Sequence, residues 1–367
     1  MGDYVAALLE HLPDVASDVD VFVAYLDGSA DIEGLDDVRF QVRRLPVPGT
    51  FLWKEVALPL AASRDRLDLL HLPSHAGPTW TSCPTVYTIH DSGQFDQADG
   101  GPERTFIQRA GGQVMRLGTL PIQAKKARRV IAASDASRLE LIRVLGLEEE
   151  RIHVIPLGVA QDLGPATNPA LVREQLWQIG HPVPARFVLA LGDRDLRSTG
   201  LALLRAFARV HDVIPDIHLW IIGAERPGVS PIQFSTPADW LTILGDVRRR
   251  ALVRLFQTAT LFVYLSDGFG LPVLEAMSCG VPVLAPNRAA LAEGTGGGAV
   301  LFDPSNEDNL AGVLVQMLTD DEMRSASIRA GRALAGRYSE VEMVRRTYDV
   351  YREAVFEVSR EAAEEEA

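Results

Sequence analysis

The amino-acid sequence predicts an α/β protein built from two doubly wound halves, and three observations support that prediction. The chain has 367 residues, more than one hydrophobic core usually supports. Short apolar runs alternate with longer amphipathic runs from end to end, which is typical of βαβ units with parallel sheets. Between the halves, residues 156–169 carry three prolines and two glycines without apolar periodicity, as interdomain linkers do.

The predicted boundary between the halves lies near residue 165. Residues 1–165 are expected to form the first domain and residues 166–339 the second, with the helical tail 340–367 packing back on the first. The predicted strands of the first domain are Val19 to Tyr25, Leu67 to His71, Thr85 to Ile89, Arg129 to Ala133 and Ile152 to Ile155. Those of the second domain are Phe187 to Leu191, Ile217 to Ile222, Leu241 to Leu244, Leu261 to Leu265, Val281 to Ala285 and Val300 to Phe302.

Two helices of the first domain have informative ends. One is bounded by Ser134, a suitable N-cap, and by Gly146, a suitable left-handed residue after the last turn. The other, Tyr4 to Leu12, opens the chain with no strand and glycine turn ahead of it. In a doubly wound sheet the first strand is central, and its loss would leave unpaired backbone and a slot in the core. We therefore expect the first strand of this domain to be missing, as after a truncation or a misassigned start.

The charge and the cysteine content narrow the class of protein. The net charge of −13 argues against a general nucleic-acid binder, because phosphate backbones are held by clustered cations. Two cysteines are too few for a disulfide framework and favour a reducing compartment. No stretch approaches the roughly 20 apolar residues that span a bilayer, and the start has no signal-peptide pattern. The sequence therefore predicts a cytoplasmic protein with small-molecule or protein partners.

The segment 266–285 is the best candidate for a ligand site. A predicted strand is followed by Gly268 and Gly270, and then by Pro272 at the expected first position of a short helix. Free amides at the positive end of a helix dipole suit a phosphate or a diphosphate. Glu275 lies one turn inside the helix, where its carboxylate is able to accept hydrogen bonds from sugar hydroxyls. The alternative is a plain strand-to-helix turn in which Glu275 stabilises the helix dipole.

The sequence around this helix carries a family resemblance. Residues 268–285 read Gly-Phe-Gly-Leu-Pro-Val-Leu-Glu-Ala-Met-Ser-Cys-Gly-Val-Pro-Val-Leu-Ala, and Asp267 stands eight positions before Glu275. This run resembles the signature of glycosyltransferase family four, whose retaining enzymes share the GT-B fold and a paired-acid motif, Glu-x7-Glu. Here aspartate takes the first acid position. Segments similar to that family also occur in the expected order at Thr88 to Asp91, Arg129 to Ser134, Arg151 to Val159 and Leu241 to Asp246.

The resemblance implies a GT-B fold and a retaining, mannosyltransferase-like hexosyltransferase of glycan biosynthesis. Its co-substrate would be a nucleoside-diphosphate sugar, GDP-mannose or a UDP-sugar, bound mainly to the second domain. The acceptor, a glycan, a lipid or a small molecule, would bind the first domain. The family needs no metal and no separate cofactor. Retention by same-face attack requires no protein nucleophile, and none is assigned.

Individual roles follow from the resemblance. Glu275 would hold the nucleotide ribose, and the amides around Gly270 and Leu271 would hold the diphosphate. The implied catalytic residues are Asp267, on a hydroxyl of the transferred sugar, and His90, beside the reacting carbon. His90 ends a predicted strand at the carboxyl edge of the sheet, where ligands of such folds bind; a structural histidine is the alternative. The remaining implied donor-binding residues are Gly192, Arg194, Arg197, Gly268 and Phe269.

Three positions depart from the family pattern. The loop before Asp267 is shorter than the family's, and aspartate has a shorter reach than glutamate. After the first strand of the second domain, Asp193 and Ser198 stand where the family has an arginine and a lysine for the diphosphate. Arg194 and Arg197 lie close by and are able to substitute for them. These departures keep open a rival function, a non-catalytic GT-B-fold binding or partner protein with a degenerate donor site. A sugar-nucleotide epimerase is disfavoured because the matching segments resemble transferases.

Two further patterns concern membranes and metals. The run Lys125-Lys-Ala-Arg-Arg129 is a basic cluster able to touch anionic lipid, so a weak membrane-surface association is expected as an alternative to a solvated helix end. His71 and His75 have the spacing of helical metal ligands. Because Pro73 between them disfavours a regular helix, zinc is disfavoured as well.

Overall fold

The computed structural model describes residues 2–27, 39–73, 77–90, 120–192, 196–223, 238–245, 247–266 and 270–365. The chain forms two compact units, the first containing residues 1–158 and 340–367 and the second residues 159–339. The division falls a few residues before the predicted boundary. The second unit is thus inserted in the first, and its two ends meet where the Val159 amide donates to the Tyr338 carbonyl at 2.9 Å.

The first unit combines short parallel strands with helices. Its strands are β1 (Phe22–Asp27), β2 (Phe40–Leu45), β3 (Leu70–Leu72), β4 (Thr85–Ile89), β5 (Arg129–Ala132) and β6 (Ile152–Val154). Its helices are α1 (Gly2–Val15), α2 (Thr50–Leu52), a π-helical turn (Trp53–Ala57), α3 (Leu58–Arg64), α4 (Leu120–Lys126), α5 (Asp135–Leu145), a 3₁₀ turn (Glu149–Arg151) and the C-terminal helix (Glu340–Glu365). Strand β2 was not predicted, because residues 41–44 are exposed and show no apolar alternation.

The strands of the first unit form two separate sheets within the described residues. Strands β3, β4, β5 and β6 pair in that order, and β1 pairs with β2. Every one of these pairings is parallel. Strands β1 and β3 are thus terminal strands of two sheets, and among the described residues they do not pair with each other.

The C-terminal helix completes one face of the first unit. It contributes Met343, Val344, Tyr348, Val350 and Ala354 to a buried cluster that also contains residues of α1, β4 and β5. Each of these five side chains is at most 9% exposed. Because they supply a large part of that face, the helix belongs to the core of the first unit rather than to its surface.

Ion pairs join the same helix to the start of β5. They also show that the predicted basic cluster, residues 125–129, is not fully exposed. The buried Arg129 guanidinium binds Glu353 at 2.9 Å and also contacts Glu357. Arg128 binds Glu357 at 3.0 Å. Two of the four cations in residues 125–129 are thus paired with the C-terminal helix, because an internal strand begins at Arg129. Only Lys125 and Lys126 of that run are exposed.

The predicted ends of α5 are confirmed. The Ser134 hydroxyl accepts a hydrogen bond from the Ser137 amide at 3.1 Å, which satisfies one of the first free donors of the helix. At the other end Gly146 has φ 62°, the left-handed conformation that glycine adopts without steric cost. Local sequence chemistry therefore fixes both ends of this helix.

The second unit is a parallel sheet of six strands. They are β7 (Phe187–Leu191), β8 (His218–Ile222), β9 (Leu241–Leu244), β10 (Leu261–Tyr264), β11 (Val283–Pro286) and β12 (Ala299–Phe302). Its helices are α6 (Pro169–Gln178), α7 (Leu196–Val213), α8 (Arg249–Phe256), α9 (Leu271–Ser278), α10 (Ala289–Thr295), α11 (Glu307–Thr319) and α12 (Asp321–Ala335). The strand order is β9-β8-β7-β10-β11-β12, which is the 3-2-1-4-5-6 order of dinucleotide-binding folds.

Both faces of this sheet are covered. Along β7, Val188 and Ala190 belong to one buried cluster, whereas Phe187 and Leu189 belong to another. Successive strand residues point to opposite faces, so the two clusters lie on the two sides of the sheet. This explains why the strands of the second unit read as continuous apolar runs.

No helix in the described ranges has the length and apolarity needed to cross a bilayer. The longest, the C-terminal helix, has 26 residues, and charged residues recur along it.

Candidate functional site

The point where the strand order reverses lies between β7 and β10 in the second unit. These strands are neighbours, yet the chain continues from β7 to β8 on one side and from β10 to β11 on the other. The Leu265 amide donates to the Leu191 carbonyl at 2.9 Å, so the two carboxyl ends stay together. Gly192 and Ser266 follow directly. Open α/β sheets bind ligands in the crevice formed at such a position.

Two glycines bring the ends of β7 and β8 close together. Gly223 has φ 89°, and a Cβ atom there would lie 2.8 Å from the carbonyl oxygen of Gly192. A side chain at Gly223 would therefore be strained and would also push the Gly192 backbone away. The buried Gly192, one of the predicted donor-binding residues, is held in place by this contact.

Helix α9 begins at the same edge of the sheet. Gly270 is its N-cap, with extended backbone, and Leu271 is the first helical residue. Pro272 is thus the second helical residue, not the first as predicted, because the helix starts one position earlier. The first amides of a helix have no intrahelical partner, and Pro272 has no N–H. The positive end of α9 therefore points its dipole toward the carboxyl edge of β10.

The space at Gly270 is limited by Tyr264, the last residue of β10. A Cβ atom at Gly270 would lie 2.3 Å from the Tyr264 hydroxyl oxygen and 3.0 Å from its ring carbon Cζ. The backbone of Gly270 has an ordinary φ of −107°, so close packing rather than conformation requires glycine.

We expect Gly270→Ala to lower the free energy of unfolding of the second unit by about 1–3 kcal/mol, the usual cost of overpacking. Tyr264→Phe removes the closest contact and should recover part of that loss in the double variant, as measured by urea denaturation. Gly312→Ala is the control, because Gly312 lies inside α11 with nothing within 4 Å of the added methyl. It should stabilise by about 0.5–1 kcal/mol. Equal effects of the two alanines would contradict the packing argument.

Glu275 lies one turn inside α9 and is almost fully buried. Its side chain is 4% exposed and its Oε1 lies 2.7 Å from Nη2 of Arg249. Arg249, 35% exposed, is the first residue of α8. A buried carboxylate needs a charge partner, and Arg249 supplies it. The ion pair joins the starts of α8 and α9 beside the carboxyl edge of the sheet.

Arg249 was not among the predicted site residues, although its sequence context carries a signal. Residues 248–250 are three consecutive arginines, and Arg248 is the N-cap of α8. Cations at a helix N-terminus oppose the helix dipole, so such a run indicates that an anion lies nearby. For Arg249 that anion is Glu275.

His90 lies in the first unit, directly after β4. Its Nε2 donates to the Pro73 carbonyl at 3.2 Å, and its ring packs edge-on against Tyr4 with centroids 4.7 Å apart. The imidazole is therefore positioned by the carboxyl end of β3 and by α1. It is half-buried at the edge of the sheet where the sequence placed it.

Behind His90 lies a polar network centred on His71. The Nε2 atom of His71 is hydrogen-bonded to the Thr88 hydroxyl at 2.8 Å, and its Nδ1 atom to the Tyr351 hydroxyl. The Tyr4 hydroxyl is bonded to the same Thr88 hydroxyl at 3.1 Å. Burial, with a smaller effect of the neighbouring His90, lowers the pKa of His71 to about 3. His71 is thus a neutral structural residue of the first unit.

This pKa predicts a pH-dependent stability. An unfolded histidine titrates near 6.5, so below that pH the unfolded chain binds a proton that the folded chain refuses until about pH 3. The first unit should lose up to about 1.4 kcal/mol per pH unit as the pH falls through this window. Urea midpoints at several pH values should show a shallower slope for His71→Gln. Thr88→Val, which keeps the imidazole, should retain the slope; if both variants behave alike, His71 is not its source.

The structure brings four of the predicted donor-binding residues, Gly192, Gly270, Leu271 and Glu275, to one edge of the second unit. Arg194, Asp267, Gly268 and Phe269 lie outside the described residues. The backbone of Arg197 belongs to the first turn of α7, and its side chain lies outside the description.

Comparisons with known proteins agree with this architecture. Residues 1–163 match the family model described as Glycosyltransferase Family 4, and residues 188–320 match the one described as Glycosyl transferases group 1. Together the two models cover most of both units. The chain therefore belongs to the family-four glycosyltransferases.

Curated relatives include mannosyltransferases and D-inositol 3-phosphate glycosyltransferases. O-antigen chain mannosyltransferase B of Escherichia coli is 30% identical over 238 residues, 62% of this chain and 61% of that protein. A D-inositol 3-phosphate glycosyltransferase of Nocardiopsis dassonvillei is 27% identical over 318 residues, 78% of this chain and 71% of that protein. The chain spans only 50–61% of the length of the first relatives that it matches.

Solved structures support the fold. Sucrose-phosphate synthase from Thermosynechococcus elongatus has a TM-score of 0.72 at 21% identity, covering 96% of this chain and 92% of that chain. WaaG, a glycosyltransferase involved in lipopolysaccharide biosynthesis, has a TM-score of 0.67 at 17% identity, with 95% of both chains covered. Anabaena Alr3699/HepE, solved with UDP-glucose, has a TM-score of 0.59 at 20% identity, covering 88% and 86%. These likenesses assign the two Rossmann-like units to the GT-B fold.

Proposed function

We propose that this chain is a retaining hexosyltransferase that uses a nucleoside-diphosphate sugar. The observation that carries the proposal is the arrangement at the strand-order reversal of the second unit. There Gly192, the start of α9 and the pair of buried Glu275 with partly exposed Arg249 lie beside the same sheet edge. A helix start suits the diphosphate, and a carboxylate one turn inside suits ribose hydroxyls.

The proposed roles assign some donor-site residues to the nucleotide and others to the transferred sugar. Glu275, held by Arg249, would bind the ribose, and the amides around Gly270 and Leu271 would bind the diphosphate. Arg194 and Arg197 would supply the cations that the family pattern places at Asp193 and Ser198. Asp267 would contact a hydroxyl of the transferred sugar.

The proposed chemistry is electrostatic. Negative charge develops on the leaving diphosphate as the glycosidic bond breaks, and amides and arginines fixed beforehand stabilise it without reorganisation. The acceptor hydroxyl then forms its bond to the sugar carbon on the face that the diphosphate leaves, and its proton passes to the departing phosphate oxygen. His90 is the proposed catalytic residue of the first unit, next to the reacting carbon.

We infer GDP-mannose or a UDP-sugar as the donor. Support for mannose comes from relatives named mannosyltransferases, and support for a UDP-sugar from the Anabaena protein solved with UDP-glucose. The acceptor, a glycan, a lipid or a small molecule, would be bound by the first unit.

Calorimetry with GDP-mannose, UDP-glucose and UDP-N-acetylglucosamine tests this proposal. One donor should bind, and Glu275→Gln should weaken both that donor and its free nucleoside diphosphate by about tenfold or more, as expected when one charged hydrogen-bond partner is removed. Asp267→Ala should weaken the sugar-bearing donor more than the free diphosphate. Glu322→Ala, at an exposed position of α12, is the control for an acidic residue outside the site.

Two outcomes would count against the proposal. Failure of every donor to bind the folded chain would contradict the proposed enzymatic function and would favour a non-catalytic GT-B-fold partner protein. Equal losses for donor and free diphosphate in both acidic variants would contradict the division of roles between Glu275 and Asp267.

We also propose that the first unit touches anionic membrane surfaces. Phe51, Val56 and Leu60 are exposed apolar side chains of the helical segment 50–64. The exposed Trp80 lies beside it, since its indole N–H donates to the Glu55 carbonyl at 3.0 Å. Apolar side chains flanked by cations are typical of helices lying in a membrane interface, and the cations here are the exposed Lys125 and Lys126. Lys126 is next to Trp80, since its ammonium donates to the Thr79 carbonyl at 3.1 Å.

Sedimentation with vesicles tests this surface. More protein should bind vesicles of phosphatidylglycerol and phosphatidylcholine than vesicles of phosphatidylcholine alone. Phe51→Ser combined with Leu60→Ser should reduce the bound fraction. Trp177→Ser, an equally exposed site in the second unit, should leave it unchanged, and the same loss in both variants would contradict the assignment.

A further inference from the structure

Helix α1 covers the face of β4 that leads to His90. Val86 of β4 and Tyr4 of α1 belong to the same buried cluster. Residues two apart along an extended strand point to the same face of a sheet, so Val86, Thr88 and His90 follow one another on the face that α1 covers. Tyr4, which is 5% exposed, contacts both Thr88 and His90. One side chain of α1 thus joins the end of the strand to the imidazole that follows it.

The two ends of the Tyr4 side chain make different contacts. Its hydroxyl is bonded to the Thr88 hydroxyl at 3.1 Å. Its ring lies edge-on to the His90 ring, with an interplanar angle of 76°, which is one of the arrangements that ring pairs prefer. Burial raises the pKa of Tyr4 to about 12, so the hydroxyl keeps its proton at any working pH. Tyr4 is therefore fixed at Thr88 and restricts the rotation of the imidazole.

The Pro73 carbonyl selects one tautomer of the same imidazole. A carbonyl oxygen only accepts hydrogen bonds, so its 3.2 Å contact with His90 Nε2 places the hydrogen of the neutral ring on that nitrogen. A half-turn of the ring would break this bond, and the ring contact with Tyr4 opposes such a turn. Contacts from β3 and from α1 thus hold His90 in one orientation and one tautomer.

We propose that Tyr4 is a positioning residue for His90: with its hydroxyl anchored on Thr88, its ring holds the imidazole in the orientation that sugar transfer uses. This role rests on the proposed function, in which His90 lies next to the reacting carbon. Tyr4 acts only through His90 and is not itself a catalytic residue. A misplaced catalytic group slows the reaction even when the substrates still bind. Loss of the Tyr4 ring should therefore lower kcat and leave donor affinity unchanged.

Two substitutions of Tyr4 in the full chain test the proposal. Release of nucleoside diphosphate from GDP-mannose and from UDP-glucose, with water or methyl α-mannoside as acceptor, gives kcat, and calorimetry gives donor affinity. Tyr4→Leu removes the ring contact and should lower kcat by about 100-fold. Tyr4→Phe keeps the ring and should lower kcat by about tenfold or less. Leu8→Ala is the matched control, because Leu8 is as buried as Tyr4 and belongs to the same cluster on α1; it should lower stability and leave kcat unchanged.

Nitrogen-15 NMR of the imidazole supplies a readout that a merely structural role of Tyr4 would not move. When its ring is neutral, His90 of the unaltered chain should show the Nε2–H tautomer. Tyr4→Leu should give signals averaged between the two tautomers, whereas Tyr4→Phe and Leu8→Ala should keep the Nε2–H signals. His90→Gln identifies the signals by their disappearance.

Three results would overturn the proposal. Unchanged kcat and unchanged imidazole signals in Tyr4→Leu would show that Tyr4 only fills space. Equal losses of kcat in Tyr4→Leu and Leu8→Ala would show an effect of stability alone. A lower kcat with unchanged imidazole signals would show that Tyr4 does not act through His90. Failure of the proposed function is recognised separately, because the unaltered chain itself would then release no nucleoside diphosphate, and the positioning role would fail with it.

Discussion

Removing the C-terminal helix, residues 340–367, is expected to unfold the first unit while the second stays folded. The helix places five side chains in the buried core of the first unit, namely Met343, Val344, Tyr348, Val350 and Ala354. Burial of one large aliphatic or aromatic side chain contributes about 1.5–3 kcal/mol. Losing the four larger ones therefore costs about 6–12 kcal/mol, which is comparable to the roughly 5–15 kcal/mol by which a domain is stable. Urea denaturation followed by circular dichroism should show that only the second unit's transition remains.

Single substitutions on this helix give a graded form of the same test. Val344 is fully buried, and Val344→Ala should cost about 2 kcal/mol through lost burial and the cavity left behind. Arg345 beside it is half exposed and binds Glu342 and Asp349 at the surface, and Arg345→Ala should change stability by less than about 1 kcal/mol. A truncated chain that kept both transitions, or equal losses in the two variants, would show that the helix does not complete the core.

Replacing Arg249 with alanine is expected to destabilise the second unit by about 3 kcal/mol, because it removes the guanidinium that lies 2.7 Å from the buried carboxylate of Glu275. Glu275 is only 4% exposed. Water therefore cannot easily take the place of the guanidinium beside this carboxylate. The same change should weaken binding of the nucleoside diphosphate, if Glu275 needs Arg249 to hold its orientation. Urea denaturation and calorimetry measure the two effects separately.

Two further variants distinguish the effect of losing the charge pair from a general effect of substitutions in α8. Arg250→Ala alters the next residue of α8, which is exposed, and should change stability by no more than about 0.5 kcal/mol. Arg249→Met combined with Glu275→Leu removes both charges and should be more stable than Arg249→Ala alone, since no charge is left buried. If the double variant were the less stable of the two, the charge that Glu275 keeps in Arg249→Ala would not be the cause of the loss.

Much of the second unit could be predicted from the sequence because its strands are buried on both faces. The bounds of β7 and β9 are those predicted, and the other strands differ by one or two residues. In the first unit, β4 also has its predicted bounds, whereas β1 is Phe22–Asp27 instead of Val19 to Tyr25. Strand β2 was missed because four of its six residues are exposed, so no apolar period marks it.

The candidate site likewise has one part that the sequence predicts and another that it does not. The start of α9 could be predicted because glycine, proline and a buried acid stand within a few residues of one another. The Arg249–Glu275 pair could not, because its members are 26 positions apart in the chain and only the packing of α8 against α9 brings them together. The network around His71 joins four separate elements, and no local pattern in the sequence reveals it.

The placement of the last helix also determines the order in which the units are able to fold during synthesis. The second unit comprises 181 residues, 159–339, and ribosomes add about 5–20 residues per second. For roughly 10–35 s the first unit is therefore made but lacks the helix that covers one of its faces. The second unit has all its residues before the first does, although it comes later in the chain. We therefore expect the nascent first unit to depend on chaperones more than the second unit does.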